Sequence, residues 1–299
     1  TMQLPDKPHR PVAIAESLFV TITWASSFIF VKMALNYMGP ITIAGLRYFG
    51  AFIVLLPFII RNNKSSQPIS RTLWIRLVAI GISGYTIGNG AFFWGLKYLS
   101  ATTVSFLTSL LPLLILLLGI IWLKETPSLW QILGMIISLI GSGLFFSKKL
   151  QADELLGIFI ISIGLIGFTL FGVLGRAMAK NQQVNTLSLT AIPLAVGGGV
   201  LMLIAFFIEG FPALNLTAWS IVIWLATVNT AFAYILYNHA LQVLSALEMN
   251  IMLNLSPLGT ALFAWLLLDE RLNIIQIMGM ATVIIGVILV QQTGRRLKA

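Results

Sequence analysis

The sequence lacks cysteine and has few charged residues, and both shortages exclude classes of protein. Without cysteine there can be no disulfide and no thiolate metal ligand. His9 and His239 are too few for a multi-histidine metal site, so no metal or other cofactor is expected. Charged residues make up 9% of the 299 residues, against about 25% in a soluble domain. A chain with so little charge cannot cover a water-facing surface, and its mean hydropathy of +0.97 indicates that the lipid bilayer is its main solvent.

The net charge of +9 lies at the ends of the apolar segments. Nucleic-acid binding would require a basic patch with interleaved aromatic residues, and since the sequence has none, no nucleic-acid partner is expected. The polar stretch Pro5 to Pro11 precedes an apolar run that is long enough to span a membrane and has no small-residue cleavage site. This run is therefore predicted to be a transmembrane helix rather than a signal peptide.

Ten apolar stretches approach the roughly 20 residues that a transmembrane helix needs. They are 13–34, 41–60, 73–95, 101–123, 129–147, 155–177, 186–208, 218–239, 246–268 and 273–292. The longest connection is the polar stretch Arg61 to Thr72, so any function is expected inside the helix bundle. Twelve of the 18 Lys and Arg residues lie on one side, five on the other, and Arg47 lies within a span. This asymmetry predicts a multi-pass protein of the bacterial inner membrane with both termini in the cytoplasm.

The two halves of the sequence are related by a shift of 145 residues without a gap. The matched pairs include Pro112 and Pro257, Glu125 and Glu270, Gln131 and Gln276, Gly134 and Gly279, and Gly141 and Gly286. The predicted organisation is an N-terminal segment (1–12), a first repeat (13–147), a linker (148–154), a second repeat (155–292) and a basic tail (293–299). Each repeat holds five spans, and because five is odd the second copy enters the membrane from the opposite side.

This all-α fold, with ten transmembrane helices in two inverted five-helix repeats, recurs in secondary transporters that bind substrate near the membrane midplane. The pattern favours transport by alternating access. Two alternatives remain open at this point: a duplication that only builds a stable bundle, and a channel.

A polar face is predicted at equivalent places of the fourth and ninth spans. Ser105, Ser109 and Pro112 stand at i, i+4 and i+7, and the partners of this set are Asn250, Asn254 and Pro257. A proline inside a helix frees a backbone carbonyl and kinks the chain. Such backbone is tolerated at membrane depth only inside protein or against water, so these side chains are predicted to line a cavity. The alternative is that they bond neighbouring helices.

The third and eighth spans repeat this pattern with aromatic residues. Tyr85, Asn89 and Phe92 share one face, and the second copy offers Tyr234, Tyr237 and Asn238. Trp24 with Ser27 in the first span and Phe168 in the sixth are weaker candidates. Aromatic rings mixed with amides suit a substrate with an apolar body and a polar end. The alternative is aromatic packing, the commoner use of these side chains.

Few charged residues lie within the spans, and a charge in a membrane predicts function by default. Arg47 is interpreted as a structural anchor in preference to a substrate contact. Glu248 is the first candidate for proton coupling and His239 the second, and both could instead be interfacial and solvated. Glu16 lies near a cytoplasmic end, and Glu270 is expected to make a helix-end or loop contact. The driving force stays open.

Several short motifs appear in order along nearly the whole chain. They are "WASSF" (24–28), "LRY" (46–48), "GLKYLSA" (95–101) with "ALQVLSA" (240–246), and "LKET" (123–126) with "LDER" (268–271). Together they resemble the EamA family of the drug/metabolite transporter superfamily, although "LKET" departs from the usual "GER"-like ending. The resemblance implies ten helices in two inverted repeats, a cavity lined by the first, third, fourth, sixth, eighth and ninth helices, and export of amino acids, related metabolites or drugs.

The sequence thus predicts a secondary transporter that exports a small organic metabolite, with an amino acid or its derivative as substrate. An exporter of organic cations is the alternative, and it would need a buried carboxylate such as Glu248. An exchanger of phosphorylated substrates is disfavoured, because only Arg47 and Lys32 could pair with phosphate. An intramembrane enzyme is disfavoured as well, since no nucleophile–base pair is evident. The substrate, the direction of transport and the oligomeric state stay open.

Overall fold

The computed structural model describes an all-helical chain. The described residues are 8–62, 70–114, 116–117, 128–146, 151–181, 186–210, 215–240, 243–244, 249 and 252–293, and none of them is in a strand. The helices and two π-helical segments are α1 (Arg10–Ala34), α2 (Pro40–Asn62), α3 (Arg71–Ile80), π1 (Gly81–Asn89), α4 (Gly90–Gly95), α5 (Ala101–Thr108), α6 (Leu129–Phe145), α7 (Ala152–Asn181), α8 (Thr186–Ile208), α9 (Leu216–Ala226), π2 (Thr227–Phe232), α10 (Ala233–Ala240), α11 (Ser256–Leu268) and α12 (Ile274–Thr293).

Six stretches of the described chain are long and apolar enough to cross a membrane. They are Arg10–Ala34, Pro40–Ile60, Arg71–Gly95, Ala152–Phe171, Leu187–Ile208 and Leu216–Tyr237. Shorter apolar helices cover Ala101–Leu114, Leu129–Phe145, Ser256–Leu268 and Ile274–Leu289. The predicted all-α membrane class is therefore confirmed for the described part, and the count of ten spans stays a prediction.

Polar side chains cap the starts of several helices. Ser70, Ser100 and Ser128 each accept a hydrogen bond from the backbone N–H three residues further on. Asn215 accepts two, from the residues two and three positions further on. Ser128 and Gln131 form a reciprocal capping box. The backbone N–H groups in the first turn of a helix have no carbonyl acceptor within the helix. A side-chain cap supplies one and so fixes where the helix begins.

Two helices contain π-helical segments at equivalent places of the repeat. π1 joins α3 to α4, and π2 joins α9 to α10. A shift of 145 residues places Thr227–Phe232 on residues 82–87, which lie inside π1. π-Helical turns are rare and concentrate at functional sites. The sequence analysis did not predict these segments.

The chain divides into two compact units, and each combines segments from both halves of the sequence. The terminal unit consists of Thr1–Ile29, Ser100–Leu155 and Leu236–Ala299. The central unit consists of Phe30–Leu99 and Leu156–Ile235.

Glycines let helices of the terminal unit approach closely. A Cβ atom added to Gly141 on α6 would lie 2.7 Å from the carbonyl oxygen of Gly279 on α12. A Cβ atom added to Gly286 would lie 2.6 Å from the carbonyl oxygen of Gly134. Since real Cβ atoms do not come that close, small residues are required on both helices. Gly134 contacts residue 286 and Gly141 contacts residue 279, so the residue numbers rise along α6 while those of its contacts on α12 fall. The two helices are therefore antiparallel.

The same arrangement holds α2 against α8 in the central unit. Gly45 of α2 faces Met202 of α8, where an added Cβ atom would lie 2.8 Å from the Met202 backbone nitrogen. Gly198 of α8 faces the backbone of Phe49. The contact points again run in opposite directions, so α2 and α8 are antiparallel.

Two carboxylates from distant parts of the chain cap helices inside the units. Glu270, which follows α11, accepts from Ala101 N and Thr102 N (3.1 and 3.3 Å) and from the Thr102 hydroxyl (3.1 Å) at the start of α5. Glu209, which follows α8, accepts from Ile41 N and Thr42 N (3.1 and 2.8 Å) at the start of α2, and from the Thr42 hydroxyl (2.6 Å). A negative charge at these ends also favours the helix dipole. Glu125, the repeat partner of Glu270, lies outside the described residues.

We expect Glu270→Gln to lower the free energy of unfolding by about 1–3 kcal/mol, because three hydrogen bonds to a charged acceptor are weakened. Thermal unfolding of the purified protein in detergent, followed by tryptophan fluorescence, measures the change. Asp269→Asn is the matched control, because Asp269 is exposed and asparagine tolerates its left-handed backbone (φ 53°). Equal melting temperatures for the two variants would contradict the capping role.

Candidate functional site

The central unit brings together the aromatic residues predicted for the third, sixth and eighth spans. The ring of Tyr85 lies 6.4 Å from that of Tyr234 and 5.7 Å from that of Phe171, in both cases edge to face. The rings of Phe92 and Phe168 lie 4.9 Å apart. Tyr85 and Phe92 are buried, whereas Phe168 and Tyr234 are partly exposed. This aromatic cluster is a site of helix packing in which three rings, those of Phe168, Phe171 and Tyr234, keep accessible surface.

The polar side chains of π1 bond to backbone carbonyls. The amide nitrogen of Asn89 donates to the carbonyl of Gly84, 3.0 Å away and five residues earlier. The hydroxyl of Thr86 donates to the carbonyl of Gly197 on α8, 3.1 Å away. The Asn89 bond gives a carbonyl of π1 a side-chain partner, and the Thr86 bond ties π1 to α8. Asn89 itself is partly exposed and retains its amide oxygen for other contacts.

Arg47 is buried beside π2, with 5% of its surface exposed. Its Nε donates to the hydroxyl of Thr230 (2.8 Å), and its Nη2 donates to the carbonyl of Asn229 (3.3 Å). The Thr230 hydroxyl donates in turn to the carbonyl of Leu225, five residues earlier (2.9 Å). The guanidinium also lies 5.2 Å from the ring centre of Tyr48. These contacts agree with the structural role predicted for Arg47, because it satisfies backbone groups of a π-helical segment.

The terminal unit holds the polar residues of the fourth and ninth spans. The hydroxyl of Thr260 on α11 lies 3.0 Å from Ser105 Oγ and 3.2 Å from the carbonyl oxygen of Ala25 on α1. Ser105 and Thr260 are fully buried. Ser109 bonds to the carbonyl of Phe106 in its own helix. Sequence reasoning missed Thr260, although a threonine three residues after Pro257 in an apolar helix was a usable signal.

Both helices of this pair are interrupted at equivalent positions. Helical geometry gives way to a turn at residues 109–110 and again at 254–255, just upstream of Pro112 and Pro257. Asn254 lies in the second turn and is 7% exposed. A shift of 145 residues superposes the two breaks. Asn250 and Glu248 lie outside the described residues, as does the side chain of Asn238.

The first and eighth spans also meet in the terminal unit. The rings of Trp24 on α1 and Tyr237 on α10 lie 5.6 Å apart, and both are partly exposed. Ser27, one helical turn after Trp24, is buried with 6% of its surface exposed. Trp24 and Tyr237 are therefore a pair of predicted site residues that the fold places together.

The same two helices carry a buried ionisable pair. Nδ1 of His239 lies 2.7 Å from Oε1 of Glu16, and the side chains are 6% and 14% exposed. Sequence reasoning named His239 but placed Glu16 only near a cytoplasmic end, and it missed their pairing because the two are 223 residues apart. The burial of His239 is inconsistent with the alternative that it is a solvated interfacial residue.

The described residues hold a cavity apart from the predicted site, and they hold no candidate metal centre. No group of three or more His, Cys, Asp or Glu side chains there could hold a metal ion. A cavity of about 520 Å³ opens in the central unit where α1, the turn before α2 and the end of α4 meet. Lys32 lines it and donates to the carbonyls of Leu96 and Leu99 (2.6 and 2.7 Å). None of the predicted substrate-binding residues lines this cavity.

Comparison with known proteins gives a consistent result. The model of the EamA-like transporter family matches residues 13–147 and 155–291. An uncharacterized transporter of Archaeoglobus fulgidus is 26% identical over 276 residues, which cover 90% of this chain and 93% of that protein. The uncharacterized transporter YyaM of Bacillus subtilis is also 26% identical and covers 90% of both chains. A crystal structure with 16% sequence identity shares the fold, with a TM-score of 0.69 over 96% of this chain and all of the other.

Arg47→Lys keeps the positive charge but replaces the planar fork by a single ammonium group, which cannot bond both Thr230 and Asn229. We expect it to lower the free energy of unfolding by about 1–3 kcal/mol, since buried backbone and hydroxyl groups lose partners. Arg76→Lys on the exposed face of α3 is the matched control. Melting temperatures in detergent measure both, and an Arg47→Lys protein as stable as the control would contradict the anchoring role.

Proposed function

Because this chain belongs to the EamA-like transporter family, we propose that it is a secondary transporter that exports a small organic metabolite by alternating access. The proposed substrate is an amino acid or an amino-acid derivative, and the proposed location is the bacterial inner membrane with both termini in the cytoplasm. A multi-pass membrane transporter follows from the family and from the apolar helices. The remaining details are supported by the observations below.

The observation that carries the mechanism is the antiparallel packing of helices that the repeat relates. α6 packs on α12 through reciprocal contacts, Gly141 with Gly279 and Gly286 with Gly134. Two-fold symmetry produces such reciprocity, because each contact then occurs twice with its partners exchanged. The antiparallel direction is what inverted copies of one repeat would give. Inverted repeats are the usual basis of two pseudo-symmetric, alternately open states.

Among the proposed binding residues that the structure describes, all but Trp24, Ser27 and Phe168 lie on the interrupted helices. π1 and π2 form one pair of equivalent interruptions, and the turns at 109–110 and 254–255 form the other. Discontinuous helices supply polar backbone for substrate in many transporters. We propose Tyr85, Asn89, Phe92, Phe168 and Tyr234 for substrate contact in the central unit, and Trp24, Ser27, Ser105, Ser109, Tyr237, Asn238, Asn250 and Asn254 in the terminal unit.

The mixture of side chains favours an amino acid over a phosphorylated compound. Aromatic rings suit an apolar side chain, and amide and hydroxyl groups suit the amino and carboxyl groups. Phosphate would need cationic partners, whereas Arg47 bonds to Thr230 and Asn229, and Lys32 to the carbonyls that end α4.

Export of organic cations is the second proposal, and the burial of Glu16 favours it. A carboxylate that is 14% exposed could attract a cation out of water. A hydrolytic enzyme is disfavoured, although Ser17 stands beside Glu16 and His239. The Ser17 hydroxyl has a single proton, and its hydrogen-bond acceptors are Ile14 O and the Met252 sulfur, so it is not oriented as a nucleophile toward the imidazole.

We expect proteoliposomes that contain the protein to take up one class of labelled amino acid in a saturable manner. Asn254→Ala should weaken apparent affinity by about 5- to 100-fold, since one buried hydrogen bond of about 1–3 kcal/mol is lost. Ser162→Ala is the control, because Ser162 is exposed and bonds only within its own helix at Ile158. Unchanged transport in a well-expressed Asn254→Ala protein would contradict the site. Transport of organic cations alone would favour the second proposal.

A further inference from the structure

The Glu16–His239 pair has polar atoms that nothing in the described structure satisfies. Oε1 of Glu16 and Nδ1 of His239 bond to each other. Oε2 of Glu16 and Nε2 of His239 are buried and have no hydrogen-bond partner among the described residues. Buried polar atoms are normally all paired, and a pair kept for stability alone would have its remaining atoms bonded as well. Oε2 of Glu16 and Nε2 of His239 can therefore each accept a proton.

The surroundings of the pair are apolar. Ala13, one turn before Glu16, and Ala240, next to His239, belong to a buried cluster with Leu244 and Met249. Among described residues of α1 and α10, the other titratable or charged groups are Arg10, Lys32, Tyr234 and Tyr237, and His9 directly precedes α1. His9 and Arg10 are exposed, Lys32 donates to the carbonyls of Leu96 and Leu99, and the rings of Tyr234 and Tyr237 lie against Tyr85 and Trp24. Glu248 belongs to the same segment and lies outside the described residues. In such a setting an uncompensated net charge is costly.

The pair can hold one exchangeable proton. With a neutral imidazole that donates from Nδ1, the Glu16 carboxylate leaves a net charge of −1. Uptake of one proton from water, by formation of an N–H bond at Nε2 or an O–H bond at Oε2, makes the pair net neutral. Release of that proton to water breaks the same bond and restores the negative charge. A buried net charge is costly unless water or a partner reaches it, so proton exchange at this pair accompanies access to water.

The pair shares its two helices with residues proposed to contact substrate. Trp24 follows Glu16 by eight residues on α1, about 12 Å along the axis, and Tyr237 precedes His239 by two residues on α10. The contact between α1 and α10 is therefore made both by the ionisable pair and by the ring pair. A change at either pair alters the packing of the same two helices, which is the physical requirement for coupling between two sites.

We propose that Glu16 and His239 form the proton-binding site through which transport is driven by a pH gradient. This inference rests on the transport function proposed above. One proton binds the pair when it is open to one side of the membrane and leaves on the other side. The exchanged proton binds at Oε2 of Glu16 or at Nε2 of His239, and the bond between Oε1 and Nδ1 holds the two groups together.

The test compares two transport modes in proteoliposomes, with the labelled amino acid that the wild-type protein takes up. Counterflow exchanges labelled for unlabelled substrate and needs no net proton movement, whereas accumulation against a gradient does. With an imposed gradient of about one pH unit, coupling to one proton supports up to about tenfold accumulation. We expect Glu16→Gln to abolish this accumulation while counterflow continues, and Glu154→Gln, which removes an exposed carboxylate at the start of α7, to retain both. Glutamine preserves the size of Glu16 and a bond to His239, so the variant keeps its packing.

A second readout does not need a substrate. Infrared difference spectra of the full chain between acidic and alkaline pH should contain a carboxyl band that Glu16→Gln lacks and that His239→Gln shifts. Gradient-driven accumulation by Glu16→Gln equal to wild type, or a spectrum unchanged by this substitution, would overturn the proposal. Absence of counterflow for every amino acid in the wild type would instead count against the proposed function, and the infrared band would then decide the proton site alone.

Discussion

A backbone N–H or C=O group inside a bilayer has no water to bond, so every interruption of a helix must bring its own hydrogen-bond partner. The described structure is arranged around this requirement. Arg47 and Thr230 bond to carbonyls at π2, Asn89 bonds to one at π1, and Glu270 and Glu209 accept from the first N–H groups of α5 and α2. Arg47, Glu270 and Glu209 come from segments far away in sequence, whereas Thr230 and Asn89 bond to carbonyls five residues earlier in the chain. These hydrogen bonds offset the free-energy cost of irregular backbone in the bilayer. The irregular segments are also the places where polar groups can face a substrate.

Two arrangements of buried ionisable groups occur among the described residues. Arg47 donates to a hydroxyl and a carbonyl and lies over an aromatic ring, so its charge is held in one place. Glu16 and His239 bond to each other and leave one buried atom each without a partner among the described residues. A charge whose hydrogen bonds are all made stabilises one conformation. A pair with buried atoms that lack partners is stabilised when a proton or a water molecule bonds to them. The first kind suits a fixed anchor, and the second suits a group that works during a transport cycle.

The internal repeat appears at three levels of the structure. In the sequence it is a gapless shift of 145 residues, carried by residues such as Pro112 and Pro257. In the helices it recurs as two π-helical segments and two turns at equivalent positions. In the packing it recurs as the reciprocal glycine contacts of α6 and α12. The third level has a simple cause, because glycines at matching places of both copies allow each helix to approach its own counterpart.

The sequence by itself determined the membrane class, the family and the helices. Nine per cent charged residues exclude a water-facing surface, and uninterrupted apolar runs leave little freedom in placing helices, so that α8 has the predicted bounds of 186 and 208. The resemblance to the EamA family is confirmed by the match of its model to both halves. Tertiary structure decided what the polar residues touch. Periodicity placed Tyr85 and Asn89 on one face, but it could not show that Asn89 bonds to Gly84 or that Thr260 bonds to Ser105. Nor could it pair Glu16 with His239, because contacts between residues more than 200 positions apart depend on how helices pack, and local periodicity carries no information about that.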